Sequence, residues 1–205
     1  MENTPNIFLK KKILVYGLGK SGLSALKFLL NKCEVHAYDD FINKFKSLSL
    51  KKKLIKFNKI SGLNFDQIIL SPGININNCK LSNYLKKNKN KIYTDLDVFY
   101  SFNKNFCITI TGTNGKSTTC KIVEKILKTA KYNVKTVGNI GNPILSTTYK
   151  KNTFLIIEAS SYQLQYSKIF RSKHAAILNI SPDHLERHKN LTNYVKIKSK
   201  IFFAQ

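Results

Sequence analysis

The 205-residue chain is short of acid. It holds 11 Asp and Glu against 35 Lys and Arg, a formal net charge of +24 at pH 7. Such an excess raises nucleic acid as a partner. The lysines, however, come in runs such as KKK and KKNKNK between apolar segments, which is the pattern of a solvated surface, and no RNA-recognition signature with interleaved aromatics is present. No specific nucleic-acid partner is expected. Cysteine is sparse too. Cys33, Cys79, Cys107 and Cys120 lie far apart with no C-x-x-C, so neither a zinc site nor a redox pair is signalled. Three of the four sit in or beside apolar runs, as buried free thiols do, which suits a reducing cytosol. Long apolar runs are missing. Nothing approaches the ~18 consecutive apolar residues of a spanning helix, and the N-terminal MENTPNIFLKKK has too short an apolar run for a signal peptide. At 42% hydrophobic the chain can still build a core.

What is present is alternation. Strand Ile13–Tyr16 leads to a helix over 21–31 and a strand Glu34–Tyr38. QIILSPGI (67–74) is a strand broken at Pro72-Gly73; a short helix over 81–87 and a strand over 91–93 follow. A second unit opens with a strand over 106–111, a glycine loop and a helix on which Cys120, Val123, Leu127 and Ala130 recur at helical spacing. Further strands are expected at Phe154–Glu158 and over 175–179, and a helix from near Thr192 that is still running at Gln205. Alternation of this kind predicts parallel sheets with helices on their faces. The expected architecture is α/β: a Rossmann-like parallel-sheet domain over 1–94, then a P-loop α/β ATP-binding domain over 95–205, incomplete at its C-terminus.

Two glycine loops carry the chemistry. Gly17, Gly19 and Gly22 form G-x-G-x-x-G between a strand and a helix, the spacing that lets backbone approach a pyrophosphate at a helix N-terminus. TGTNGKSTT (111–119) is stronger. Its backbone N–H groups would face a phosphate, Lys116 would reach the terminal phosphates, and Ser117 would hold Mg²⁺. It departs from the strict P-loop pattern because Ile110 stands where the first glycine belongs. Glu158 ends an apolar strand, where ligands of open α/β sheets sit. Asp183 and His184 follow Pro182 in a turn after the next strand, Asp183 as an orienting neighbour. NYVKIKSK (193–200) puts three lysines on a helix, with a solvated face as the default for each.

Five segments in this order, namely SPGI (71–74), GTNGKSTT (112–119), GNIGNP (138–143), EASSYQLQ (158–165) and LNISPDHLERH (178–188), resemble the Mur ligase family. The resemblance implies an enzyme that couples ATP cleavage to amide formation: a substrate carboxylate becomes an acyl phosphate, and an amine then displaces phosphate. Within the family the segments suit the activity that adds D-glutamate to UDP-N-acetylmuramoyl-L-alanine, in cell-wall precursor synthesis by a cytoplasmic monomer. Residue by residue, Gly112, Thr113, Asn114, Gly115, Lys116, Ser117 and Thr118 would cradle ATP. Ser117 and Glu158 would share one Mg²⁺, and His184 would take a second. Lys198, four residues after Tyr194, would be carbamylated by CO₂ and join the metal site; Lys196 and Lys200 would lie away from it. Lys116, His184 and Lys198 are thus the expected catalytic groups. Asn139, Ser160 and Gln163 would contact the muramoyl moiety, with Ser71 on the same substrate. Gly19, Lys20 and Ser21 would meet the UDP pyrophosphate and Asp39 the nucleoside, although Phe41 stands where the family often has a basic residue. The resemblance also implies a third domain, absent from these 205 residues, so the chain alone is expected to show little ligase activity.

Three other readings stay open on sequence alone. One is a different P-loop ligase, such as a folylpolyglutamate synthetase. The second is a nicotinamide oxidoreductase built on the first turn, which leaves 111–119 unexplained. The third is a basic nucleic-acid binder, whose affinity would fall steeply with salt.

Overall fold

The computed structural model describes residues 6–41, 50–146 and 148–202. The first sheet forms from β1 (Lys12–Tyr16), β2 (Glu34–Tyr38), β3 (Gln67–Leu70) and β4 (Ile92–Tyr93), in the order β2-β1-β3-β4 and parallel throughout. Ile13, Leu14, Val15 and Tyr16 are all fully buried. A strand covered on both faces has no polar side to alternate with, which is why this one is a continuous apolar run. Helix α1 (Lys20–Leu29) leaves the first turn and buries Ala25, Leu26 and Leu29. Two shorter helices, α2 (Phe57–Ile60) and α3 (Ser82–Lys87), complete this half.

Helix α4 (Asp95–Phe102) joins the two sheets and packs on α1. Its start is set by a capping box. Asp97 Oδ2 accepts Thr94 N at 2.9 Å, and the Thr94 side chain takes the amide of Asp97 in return. The second sheet contains β5 (Cys107–Thr111), β6 (Val134–Gly138), β7 (Phe154–Glu158) and β8 (His174–Ile177), ordered β6-β7-β5-β8 and again parallel. Helix α5 (Lys116–Thr129) follows β5 and lays Cys120 against it, with Val123 and Leu127 partly buried. Beyond β7 come α6 (Ser161–Gln165), α7 (Leu185–His188) and α8 (Leu191–Ser199). Among the described residues no helix is long and apolar enough to cross a membrane.

Three expectations change. The strand expected to reach residue 179 stops at Ile177, because Asn179 is turned away to hold the glycine loop. The last α-helix ends at Ser199 and tightens into a 3₁₀ turn over Lys200–Phe202; residues 203–205 lie outside the described residues. Lys200 is not on a solvated face. Its ammonium donates to the carbonyls of Leu164, Gln165 and Ser167 at 2.7–3.2 Å. Strand β6 was not anticipated. It is an edge strand, and its exposed Lys135 and short VKTVG run give neither a clean alternation nor a long apolar stretch.

Candidate nucleotide sites

The two glycine loops sit at the carboxyl ends of β1 and β5. In the first, Gly17 has φ +91°, and an added Cβ would lie 2.8 Å from Ile74 and Ser71. Gly22 lies under the loop, where a Cβ would meet the Gly17 carbonyl oxygen at 1.7 Å. Helix and strand therefore touch through backbone. Gly19 caps α1, and nothing stands within 4 Å of where its Cβ would be. Ser71 Oγ donates to Gly17 O at 2.7 Å. Asp39, at the end of β2, spends both oxygens on backbone: Oδ2 accepts Leu18 N at 2.7 Å and Oδ1 accepts Phe41 N at 2.8 Å. It shapes the turn from below. Lys20 is exposed.

The second loop is braced on one side by the segment after β8. Thr113 N donates to Asn179 O at 3.1 Å. Asn179 holds the next peptide at both ends, accepting Asn114 N at 2.9 Å and donating to Asn114 O at 3.1 Å. Gly115 is left-handed at φ +80° and starts α5, so the helix N-terminus faces the loop. Lys116 folds back and donates to Gly112 O at 2.9 Å and Thr113 O at 2.7 Å. Ser117 Oγ donates to Glu158 Oε2 at 2.8 Å, and Asn139 Nδ2 donates to the other oxygen, Oε1, at 2.8 Å. Glu158 is 1% exposed, and its partners are neutral. Adjacent strand ends thus bring Ser117, Glu158 and Asn139 together.

Lys198 is 1% exposed on α8. Its Nζ donates to the same Gly112 carbonyl at 2.8 Å and to Thr111 Oγ1 at 3.4 Å, and lies 4.6 Å from the centre of the Tyr194 ring. Burial, with the charge of Lys116 beside it, lowers its pKa to about 8, and Asp183 opposes that shift. Two ammonium groups therefore converge on one carbonyl. Among the described residues neither makes an ion pair. The mouth of the loop thus gathers two ammonium groups next to a helix N-terminus, with Glu158 and Asp183 as the nearby acids, which is an environment for an anion.

His184 is placed differently. It is the left-handed cap of α7 at φ +52°, and its Nε2 lies 3.3 Å from Asp183 Oδ2 and its Nδ1 3.8 Å from Glu186. Among the described residues no three His, Cys, Asp or Glu side chains stand close enough to hold a metal ion. Ser160 and Gln163 are bound to each other in the capping box of α6, with Ser160 N donating to Gln163 Oε1 at 3.1 Å.

Four groups escaped the sequence reading. Asp95 and Asp97, on α4, are buried. Arg187 donates to Gln165 Oε1 at 2.7 Å and to the Ile74 carbonyl, tying α7 to the SPGI loop. His188 is buried between the rings of Tyr162 and Tyr194 with Nε2 3.0 Å from Ser161 Oγ. Burial, helped by the charge of Arg187, pushes its pKa down. The T-x-x-D spacing at 94–97 was the one available signal, and it marks a helix start, not a role.

Residues 11–92 match the model of the Mur ligase MurD-like N-terminal domain, and residues 110–205 that of the Mur ligase middle domain. Among curated relatives, the UDP-N-acetylmuramoylalanine–D-glutamate ligase of Rickettsia bellii is 40% identical over 96% of this chain and 44% of its own length. The enzyme of the same name from Buchnera aphidicola is 37% identical over 95% of this chain and 46% of its own. The chain thus spans less than half the length of these relatives. Among solved structures, the UDP-N-acetylmuramate:L-alanyl-gamma-D-glutamyl-meso-diaminopimelate ligase of Neisseria meningitides superposes with a TM-score of 0.56 at 16% identity, over 92% of this chain and 66% of that one. That likeness shows the two-sheet α/β fold.

Proposed function

The chain belongs to the Mur ligase family, and we propose that it serves there as the UDP-substrate-binding and ATP-binding portion of a D-glutamate-adding ligase. The substrate is UDP-N-acetylmuramoyl-L-alanine, the co-substrates are ATP and D-glutamate, and the product is a peptidoglycan precursor formed through an acyl phosphate. The observation that carries the reading is the convergence of Lys116 and Lys198 on Gly112 O, beside a strand-end carboxylate bound to the loop serine. A ligase of this kind must bring a carboxylate up to a triphosphate. Two ammonium groups and a helix N-terminus lower the cost of putting two anions in one place.

In this reading Gly112 to Thr118 cradle ATP, and Lys116 swings from its present carbonyls to the phosphates. Ser117 and Glu158 fit Mg²⁺. They are hard oxygen donors 2.8 Å apart at the loop, and Mg²⁺ takes few protein ligands and completes its shell with phosphate and water. Bound there, the ion would neutralise phosphate charge. Asn139 fixes the Glu158 carboxylate. Lys198, buried and with its pKa lowered toward neutrality, suits the neutral amine that carbamylation needs; with His184 it would form the second metal site. The first turn holds the UDP pyrophosphate through Gly19, Lys20 and Ser21, with Asp39 and Ser71 shaping that site, while Asn139, Ser160 and Gln163 meet the muramoyl end. The domain boundary falls at 94/95, where α4 begins.

Calorimetry on this chain tests the reading. UDP-N-acetylmuramoyl-L-alanine and ATP should bind independently, and NADH should not. Binding of NADH in place of the UDP ligand would return the first turn to a nicotinamide enzyme. A carbamate carbon signal from ¹³C-bicarbonate, lost in Lys198→Met, tests the modification. On a full-length version carrying the third domain, phosphate release that requires D-glutamate, and is not supported by L-glutamate, tests the amine.

A further inference from the structure

Helix α4 packs on α1 of the first sheet and on α6 of the second. Its first residue, Asp95, is 2% exposed. Its Oδ1 accepts the Leu96 amide at 3.1 Å and its Oδ2 accepts Gln163 Nε2 at 3.4 Å, while the Ser21 side chain faces the same carboxyl. Ser21 stands in the first turn of α1, directly after the G-x-G-x-x-G loop. Gln163 in turn binds Ser160 N and Oγ through Oε1. A line of polar groups therefore runs from Ser21 past Asp95 to Gln163 and Ser160, hydrogen-bonded from Asp95 onward. It joins the turn at the end of β1 to the start of α6 after β7. The groups facing Asp95 are Ser21 from α1, Gln163 from α6, and Asp97 and the Leu96 amide from α4 itself; Asp97 is the charged one. Burial pushes the Asp95 carboxyl up to about 6, with Asp97 adding and Gln163, Leu96 N and Ser21 opposing. Among the described residues no cation pairs with it, so pulling α6 away leaves a buried carboxylate short of a donor, a cost that resists separate movement of α4 and α6.

We propose that Asp95 is a positioning residue that couples the Gly17–Gly22 turn to the N-terminus of α6, so that a pyrophosphate ligand on the first turn is registered at Ser160 and Gln163. This rests on the assignment of that turn to the UDP end of the substrate. The two ends of one long substrate are then held in register by a group that touches neither.

Backbone amide NMR on the 205-residue chain, with UDP as the probe, tests this. In the wild type, UDP should shift the amides of residues 19–22 and also those of 160–163. In Asp95→Asn the turn should still respond and 160–163 should not. An undiminished α6 response in that variant overturns the proposal. A pH titration without ligand is the second arm. In the wild type both segments should follow one midpoint near 6, and Asp95→Asn should abolish it in both. Separate midpoints, or a shared one that survives the substitution, overturn the coupling. The field of a titrating Asp95 reaches both segments by proximity, so a shared midpoint shows that Asp95 faces both, and the UDP arm shows that they are coupled. If UDP leaves the turn unmoved, the pyrophosphate assignment fails, while separate midpoints in the titration still overturn the coupling. Should Asp95→Asn fold poorly, Ser21→Ala cuts the line at its other end. The α6 amides should then keep titrating and the turn amides should stop; a turn that titrates unchanged refutes the link.

Discussion

The first loop offers a controlled pair of substitutions three residues apart, Gly22→Ala and Gly19→Ala. Both add one methyl group to a helix start. At Gly22 that methyl would sit 1.7 Å from the Gly17 carbonyl oxygen, a backbone atom. Ordinary contact is about 3.5 Å, so α1 must retreat by roughly 1.5–2 Å. A gap of even 1 Å forfeits about half of a contact's attraction, and α1 buries Leu26 and Leu29 completely. Half of two leucine side chains at about 2–3 kcal/mol each is about 2–3 kcal/mol. Overpacking strain adds about 1 kcal/mol, and the better helix propensity of Ala returns about 1 kcal/mol. The expected loss is about 2–3 kcal/mol, or a Tm lower by about 5–10 °C for a chain of this size. At Gly19 the methyl meets nothing within 4 Å and φ is −67°, so the fold should be unaffected. Its effect should appear in binding, because the methyl occupies the approach to the turn; the affinity for UDP should fall at least about tenfold, 1.4 kcal/mol. Thermal unfolding followed by circular dichroism, with calorimetric titration of UDP, reads both. A Gly22→Ala protein that melts with the wild type refutes the packing argument. A Gly19→Ala protein that binds UDP normally refutes the assignment of that space to a ligand.

Lys198→Met removes a buried ammonium. The folded-state pKa of about 8 lies below the ordinary 10.5, so the penalty is full below pH 8 and fades as pH rises to 10.5. That gap corresponds to about 3 kcal/mol, and the lost bond to Gly112 O offsets about 1 kcal/mol of it. In urea denaturation the variant should be the more stable at pH 7, with its advantage shrinking by pH 10; a less stable variant at pH 7 counts against the reasoning. Glu158→Gln keeps the bulk but removes the charge beside Ser117, so Mg²⁺-dependent ATP affinity should drop about tenfold or more while Mg²⁺-free binding changes little. Equal losses in both conditions would argue against a metal at that pair. Asp97 Oδ1 accepts from Ser167 Oγ and from the amides of Lys168, Ile169 and Phe170 at 2.8–3.0 Å, and Oδ2 caps α4. Asp97→Ala should cost about 3–5 kcal/mol, since those donors lose a fully buried acceptor; a Tm within a few degrees of wild type would show that water replaces it.

The glycine loops, β1, β2, β5 and β7, and the order of the segments were legible because each is written locally. A parallel strand buried on both faces needs an apolar run, and a backbone that passes within 1.7 Å of a would-be Cβ needs glycine. Which of Lys196, Lys198 and Lys200 is fully buried was not legible from spacing, since they differ only in what packs against them; the family resemblance alone singled out Lys198. Nor were the nodes of α4. Asp95 and Gln163 are 68 residues apart, and Asp97 reaches partners 70 to 73 residues away. A contact of that range leaves no trace in spacing. The composition held a clue that pattern reading passes over. In a chain with only 11 acidic residues, Asp39, Asp95, Asp97 and Glu158 are buried, and among the described residues none of the four makes an ion pair. Each instead accepts from neutral donors: Asp39 beneath the first loop, Asp95 and Asp97 between the sheets, Glu158 at the second loop. A buried carboxylate without a counterion is costly unless its donors are fixed in place. Its presence therefore marks where the backbone is held most rigidly, and those places are the two loops and the helix that joins them.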